Sequence, residues 1–235
     1  MRTNLFRIIL GACFLMVPAL IHTANAQEKN WKISLQSGIF IPQDWSVRGM
    51  QQISYSGGSP TSIFVTGFGQ GNDITLSATY YYSDWGIMLK AGVRLMNNDL
   101  DMALAPDGLH DMYENHLTLF PITLNMVRRM SFPEGKVTPY FAFGFGAYYT
   151  EWEQKHFPEG GTRTWTKGSS VPVGINICSG LDYAFYHDLI VNFEVDYSYI
   201  LASLKIKNVD TNDEVEMKNL NLGGVTFKLG LAFRF

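Results

Sequence analysis

From Trp31 onward, apolar and polar side chains alternate with a period of two, in segments long enough to cross hydrocarbon as tilted strands of roughly 9 to 11 residues. Eight segments carry the pattern: 31–41, 72–82, 85–96, 117–129, 139–150, 171–183, 189–201 and 222–235. In the first, Trp31, Ile33, Leu35, Ile39 and Ile41 oppose Lys32, Ser34, Gln36 and Gly38. In the seventh, Leu189, Val191, Phe193, Val195, Tyr197, Tyr199 and Leu201 oppose Asn192, Glu194, Asp196 and Ser198. The polar faces of the others contribute Asp73, Lys90, Arg94, Arg129, Asp182, Lys228 and Arg234. The fourth segment is the least regular, because Pro121 cannot donate to a ladder and predicts a bulge or a locally open pairing.

The connections provide an independent check. Long and short alternate: 42–71, 97–116, 151–170 and 202–221 are long, whereas 83–84 and 184–188 are short and 130–138 short to moderate. A membrane barrel has this rhythm, with short periplasmic turns and longer loops outside. The fold expected is all-β, an eight-stranded antiparallel up-and-down transmembrane barrel. Every backbone polar group in hydrocarbon needs a partner, and a closed ring of strands supplies one without leaving an edge. Aromatic residues collect where hydrocarbon meets headgroups. Trp31, Tyr82, Trp85, Tyr183 and Phe233 fall at the expected periplasmic ends, with Phe235 beside them, while Tyr149 and Tyr199 fall toward the outer ends. In the first long loop, Thr61–Thr66 is expected to prolong the second strand beyond the membrane.

Composition then sets the compartment. Arg2 and Arg7 precede an apolar run over 8–21 and the small-x-small site Ala24–Asn25–Ala26, the form of a cleaved secretory signal peptide. Residues 1–26 are therefore set apart from a barrel domain over 27–235. Leu10–Cys13 has some likeness to a lipoprotein box, but most of the apolar run follows it. Loss of Arg2 and Arg7 moves the formal net charge from −3 to −5, and an acidic chain gives nucleic acid no basic patch to bind. Only Cys178 remains after cleavage, so no intramolecular disulfide is expected.

The chain closes Leu229–Gly–Leu–Ala–Phe–Arg–Phe235, and a terminal Phe after alternating apolar residues resembles the signal read by the barrel-assembly machinery. Leu119–Phe–Pro–Ile–Thr–Leu124 and Pro139–Tyr–Phe–Ala–Phe–Gly–Phe–Gly–Ala–Tyr148 resemble stretches of the small OmpW and OmpX type barrels. The strand pattern and signal peptide predict a monomer in the bacterial outer membrane among its lipids; the resemblance implies passive passage of small apolar solutes, with a passive part in envelope integrity as the other reading. An OmpX-like surface protein whose loops bind a partner is the alternative it leaves open.

The chemistry of the inward faces is ambiguous on sequence alone. An eight-strand barrel is about wide enough for side chains to fill it or for one small ligand. Paired charges then make a polar plug, and a water-filled path with a charged constriction is the other possibility; geometry favours the plug. A lipid-modifying enzyme would need a base beside its nucleophile. His110, His116 and His156 fall instead in long loops and His187 in a short turn, so no catalytic residue is assigned. Asp107, His110, Asp111, Glu114 and His116 form the densest set of metal-ligating types. Their spacing matches no metal motif, and neither metal nor cofactor is expected.

Overall fold

The computed structural model describes residues 30–43, 49–53, 61–65, 69–104, 109–130, 136–158, 163–209 and 214–235. The expected signal peptide over 1–26 lies outside the described residues. Among the described residues twelve strand segments follow one another: β1 (Trp31–Pro42), β2 (Gly49–Ile53), β3 (Thr61–Val65), β4 (Gly71–Tyr82), β5 (Trp85–Leu104), β6 (Leu109–Arg129), β7 (Val137–Pro158), β8 (Thr164–Ser170), β9 (Val173–Tyr186), β10 (Leu189–Asn208), β11 (Glu214–Asn221) and β12 (Gly224–Arg234). Eight of them, β1, β4, β5, β6, β7, β9, β10 and β12, pair antiparallel in that order, and β12 returns to β1. The ring is an up-and-down barrel.

Its closure is carried to the end of the chain. Trp31 and Phe235 exchange two backbone bonds of 2.9 Å each, so the β1–β12 seam leaves no unpaired edge at that end. The short turns are tight: Ser83 and His187 take positive φ in the two-residue connections that join Tyr82 to Trp85 and Tyr186 to Leu189, where hairpin geometry demands such angles. The outer wall is apolar and open to its surroundings, with Leu35 at 59% exposure, Phe145 at 67% and Leu229 at 61%. In a membrane these positions meet acyl chains rather than water.

The seam between β5 and β6 is interrupted. Ala91 pairs with Ile122 and Arg94 with Leu119, while Gly92 and Val93 have no register partners across from Phe120 and Pro121. Pro121 keeps its place opposite Tyr148 on the β7 side. The missing N–H of proline thus loosens one seam of the wall and leaves the other intact.

Above the membrane-spanning part the strands do not end where the sequence pattern predicts. β5 runs to Leu104, β6 starts at Leu109, β7 reaches Pro158 and β10 reaches Asn208. β8 pairs with β7 and β10, and β11 pairs with β10. Three of the four long connections are therefore largely hairpin, and His110, His116 and His156 lie in strands rather than loops. Thr61–Val65 does not prolong the second spanning strand either; it pairs with β2 in a separate hairpin.

The reason is an inversion of the alternation. In β10, Tyr199 and Leu201 face outward, whereas Ala202, Leu204 and Ile206 face inward and are buried, with Lys205 and Lys207 outside. β6 changes the same way, from outward Ile122 and Leu124 to inward Leu119 and Leu117. Once the outer face meets water, the apolar set has to change sides for the strand to continue. Leu229→Arg, on the lipid face, is expected to destabilise the folded barrel in vesicles by about 2–4 kcal/mol if it lies near the midplane. Lys205→Gln, above the belt, should leave the urea midpoint unchanged, and equal sensitivity at the two positions would contradict the assignment of the bilayer.

Candidate functional site

The lumen is stacked in three layers, each set by which inward residues the strands deliver at that height. Nearest the short turns, Tyr81, Met88, Val127, Tyr140, Ala142 and Cys178 form an apolar and aromatic base. Toward the long hairpins a larger apolar cluster holds Phe40, Met96, Leu117, Leu119, Tyr148, Trp152, Ile200, Ala202, Leu204, Ile206 and Leu222. Between them lies a belt of charge.

Eight of the ten inward charged residues predicted from the sequence meet in that belt. Lys90 Nζ donates to Glu194 at 2.8 Å, to Asp196 at 3.0 Å and to Cys178 Sγ at 3.2 Å. Lys228 Nζ lies 3.3 Å from Asp196, 3.5 Å from Glu194 and 3.7 Å from Asp73. Arg94 donates to Asp73 at 3.1 Å and to Thr226 at 3.1 Å. Nearer the short turns, Lys32 pairs with Asp182 at 2.8 Å. Four cations, Lys32, Lys90, Arg94 and Lys228, thus face four carboxylates, Asp73, Asp182, Glu194 and Asp196, and the belt is neutral as a whole.

Neutral side chains lock these charges in place. Tyr140 Oη donates to Glu194 at 2.8 Å, Asn192 donates to Tyr140 Oη at 3.1 Å and to Asp182, and Gln36 donates to Asn192. The Lys32 ammonium also sits 4.5 Å from the Tyr140 ring, and the Arg94 guanidinium 3.9 Å from the Phe40 ring. Arg94 therefore joins the belt to the apolar layer above it. The sequence marks Gln36 and Asn192 as inward but says nothing of their role, and Tyr140 is lost among the aromatics of its segment.

The two remaining inward cations stand apart. Arg129 stacks on Tyr81 with its guanidinium 4.7 Å from the ring, and Arg234 pairs in register with Lys32 at the short-turn mouth. Of the aromatic positions, Tyr82, Trp85, Tyr183 and Phe233 are exposed around the short-turn end, and Tyr149 and Tyr199 around the other. Trp31 is half-buried against Tyr80, with ring centroids 5.1 Å apart, and Phe235 lies 6.1 Å from Phe233. The girdle also includes Phe185 and Tyr186, which fall just beyond the segment limits drawn from the sequence.

A metal finds no room in the belt. Cys178, Glu194 and Asp196 come close enough together to suit an ion, but the Lys90 ammonium already bonds all three. In the suspected ligand cluster of the long connection, Glu114 pairs with Lys155 at 3.7 Å and His116 Nδ1 lies 2.9 Å from Asn97 Oδ1. Asp107 lies outside the described residues, as do the side chains of His110 and Asp111.

Comparison with known proteins agrees with this architecture. Residues 46–235 match the OmpW family. Among solved structures, the outer membrane protein OprG from Pseudomonas aeruginosa superposes with a TM-score of 0.57 at 16% identity, covering 88% of this chain and 96% of that one. Neisserial surface protein A gives 0.50 at 14% identity over 88% and 98% of the two chains. A major outer membrane protein from Thermus thermophilus gives 0.50 at 13% identity over 87% and 99%. At these identities the likeness is one of fold. A search of curated proteins found no match.

Removing one partner from a buried ion pair costs about 3–5 kcal/mol, because the other charge stays behind uncompensated. Lys90→Met is expected to lower the urea midpoint accordingly, since Glu194 and Asp196 both lose their nearest cation. Adding Glu194→Gln to it should recover part of the loss. An additive double variant would show that the belt is not a coupled unit.

Proposed function

The chain belongs to the OmpW family and is a β-barrel protein of the bacterial outer membrane, and from that premise we propose that it is a passive, non-enzymatic route for small apolar solutes. The observation that carries the proposal is the polarity of the lumen. Phe40, Met96, Leu117, Leu119, Trp152, Leu204 and Ile206 line its outer half, a surface that favours an apolar guest by roughly 25 cal/mol for each Å² withdrawn from water. The neutral belt closes the straight path below it, since an ion or a polar solute would have to displace charges that are already paired.

A solute admitted from outside therefore needs a second way out. The interrupted β5–β6 seam at Gly92 and Pro121 lies at the height of the belt's upper edge, where Arg94 meets Phe40. Passage through the wall there delivers an apolar molecule into acyl chains without crossing the belt. In the resting barrel the apolar side chains pack against one another, and admission requires Met96 and its neighbours to part; methionine is well suited to such repacking.

The partners proposed follow from the same reading. Outer-membrane lipid surrounds the apolar wall as the solvent of a monomeric barrel, and a small apolar solute occupies the lumen. The signal peptide over 1–26 is proposed to be cleaved on export, and Phe235, with Phe233, Leu231 and Leu229 on the same face, to be read by the barrel-assembly machinery. Against catalysis stands the placement of the histidines: His116 is bonded to Asn97 outside the barrel and His187 occupies a turn.

Uptake tests the route. Proteoliposomes are expected to transfer a small apolar fluorophore from the outer solution into the bilayer faster than protein-free vesicles. Leu204→Asp, which places a carboxylate in the apolar layer, should abolish the acceleration, and Pro121→Ala, which restores an N–H to the seam, should slow it several-fold. Uptake indifferent to Leu204→Asp in a folded barrel would contradict the proposal.

A further inference from the structure

A small cavity lies where the apolar layer, the charged belt and the open seam meet. Its volume is about 20 Å³, and Pro121, Gly92, Arg94, Lys228, Tyr148 and Asn176 are among the residues that line it. A space of that size holds one or two non-hydrogen atoms, about the size of a water molecule.

Three polar atoms at this cavity have no protein partner. Asn176 is 2% exposed and both its Oδ1 and its Nδ2 are unpaired; Tyr148 is 1% exposed and its Oη is unpaired. Each such group forfeits its hydration without a hydrogen bond in return, and among the described residues Asn176 alone has two such atoms. The neighbouring charges, by contrast, are satisfied by one another. Tyr148 also belongs to the apolar layer above. The wall yields to its ring at Gly174, where an added Cβ would come within 3.0 Å of Tyr148 Cε2.

Resting on the apolar route proposed above, we infer that Asn176 and Tyr148 form a headgroup site, and that the preferred solute is an amphiphile with one small, neutral, hydrogen-bonding head on an apolar tail, an aliphatic alcohol. An amide side chain offers a donor and an acceptor, and a phenol adds one more of either kind. A hydroxyl, which donates one bond and accepts others, satisfies them within that space. A carboxylate or ammonium head would instead add a net charge to a belt whose four cations and four carboxylates already balance, at the cost of burying an unpaired ion. The tail lies along the apolar layer. From Tyr148 to Trp152 the strand rises by about 13 Å at 3.3 Å per residue, which suits a chain of about ten carbons.

Trp152 provides the readout. In a full-length chain with Trp31, Trp45, Trp85 and Trp165 changed to Phe, the remaining tryptophan faces the lumen, and a bromine at the tail end of a bound solute quenches it. The protein is reconstituted in vesicles and titrated with 1-bromodecane, 10-bromodecan-1-ol, 10-bromodecanamide and 10-bromodecanoate, compared at equal mole fraction in the bilayer. The alcohol is expected to quench at about tenfold lower mole fraction than the alkane, the carboxylate or the amide, whose larger head exceeds the cavity, the equivalent of one buried hydrogen bond. Asn176→Leu should erase that preference and leave quenching by bromodecane unchanged, while Tyr148→Phe should reduce it several-fold. Folding of each variant is read from heat-dependent gel mobility, and if Asn176→Leu does not fold, an unaltered preference in Tyr148→Phe overturns the headgroup site. Equal quenching by all four probes overturns the headgroup site and leaves the apolar route standing. Absence of quenching by every probe, the alkane included, overturns both.

Discussion

A backbone in hydrocarbon has to bond to itself, and most of this structure follows from that requirement. It forces the eight spanning strands into a closed ring, which Trp31 and Phe235 complete with reciprocal bonds. A ring of eight leaves a lumen just wide enough for its inward side chains to fill it or for one small ligand to enter. What fills it is then decided height by height, by whichever residue types the strands carry inward at each level. The chemistry of the protein is a consequence of that vertical order: aromatic base, neutral charged belt, apolar upper layer.

The same requirement explains what can be read from the sequence and what cannot. Within the bilayer the outward face must be apolar, so alternation is strong and the faces of Lys90, Arg94, Glu194 and Lys228 follow from it. Above the bilayer that demand ends. Leu204 and Ile206 continue the alternation of β10 in inverted phase, and a reading that follows one phase stops at Leu201. The inversion is present in the sequence, as the change from Tyr199 and Leu201 to Leu204 and Ile206 across Ala202 and Ser203, but it becomes meaningful only when the outer surface is known to change solvent. Pro121 is the opposite case: its chemistry alone predicts a local break in pairing, and the break is found on the β5 side. Which cation meets which carboxylate is decided by side-chain packing across the lumen, with separations such as 104 residues between Lys90 and Glu194, and no local pattern encodes it.

The belt and the apolar layer divide the work between them. Eight buried charges are costly to dehydrate and are held only because each finds partners; Tyr140, Asn192 and Gln36 complete those partnerships from the base. The belt thereby acts as a floor that a charged or strongly polar solute cannot pass cheaply. The layer above it presents hydrocarbon, aromatic rings and a methionine, and the interrupted β5–β6 seam lies beside it. In the route proposed, selection by polarity and exit by the side are two consequences of one stacking order.

Conductance across a planar bilayer tests that order most directly, with the refolded full-length barrel in symmetrical salt. A sealed belt predicts a folded protein that passes no discrete current, and a Lys90→Ala, Lys228→Ala variant in which openings appear because the cations that hold Glu194 and Asp196 across the lumen are gone. Discrete, salt-dependent steps from the unaltered barrel would mean that water and ions run through the belt, and would contradict the account of the lumen as an apolar chamber on a closed floor.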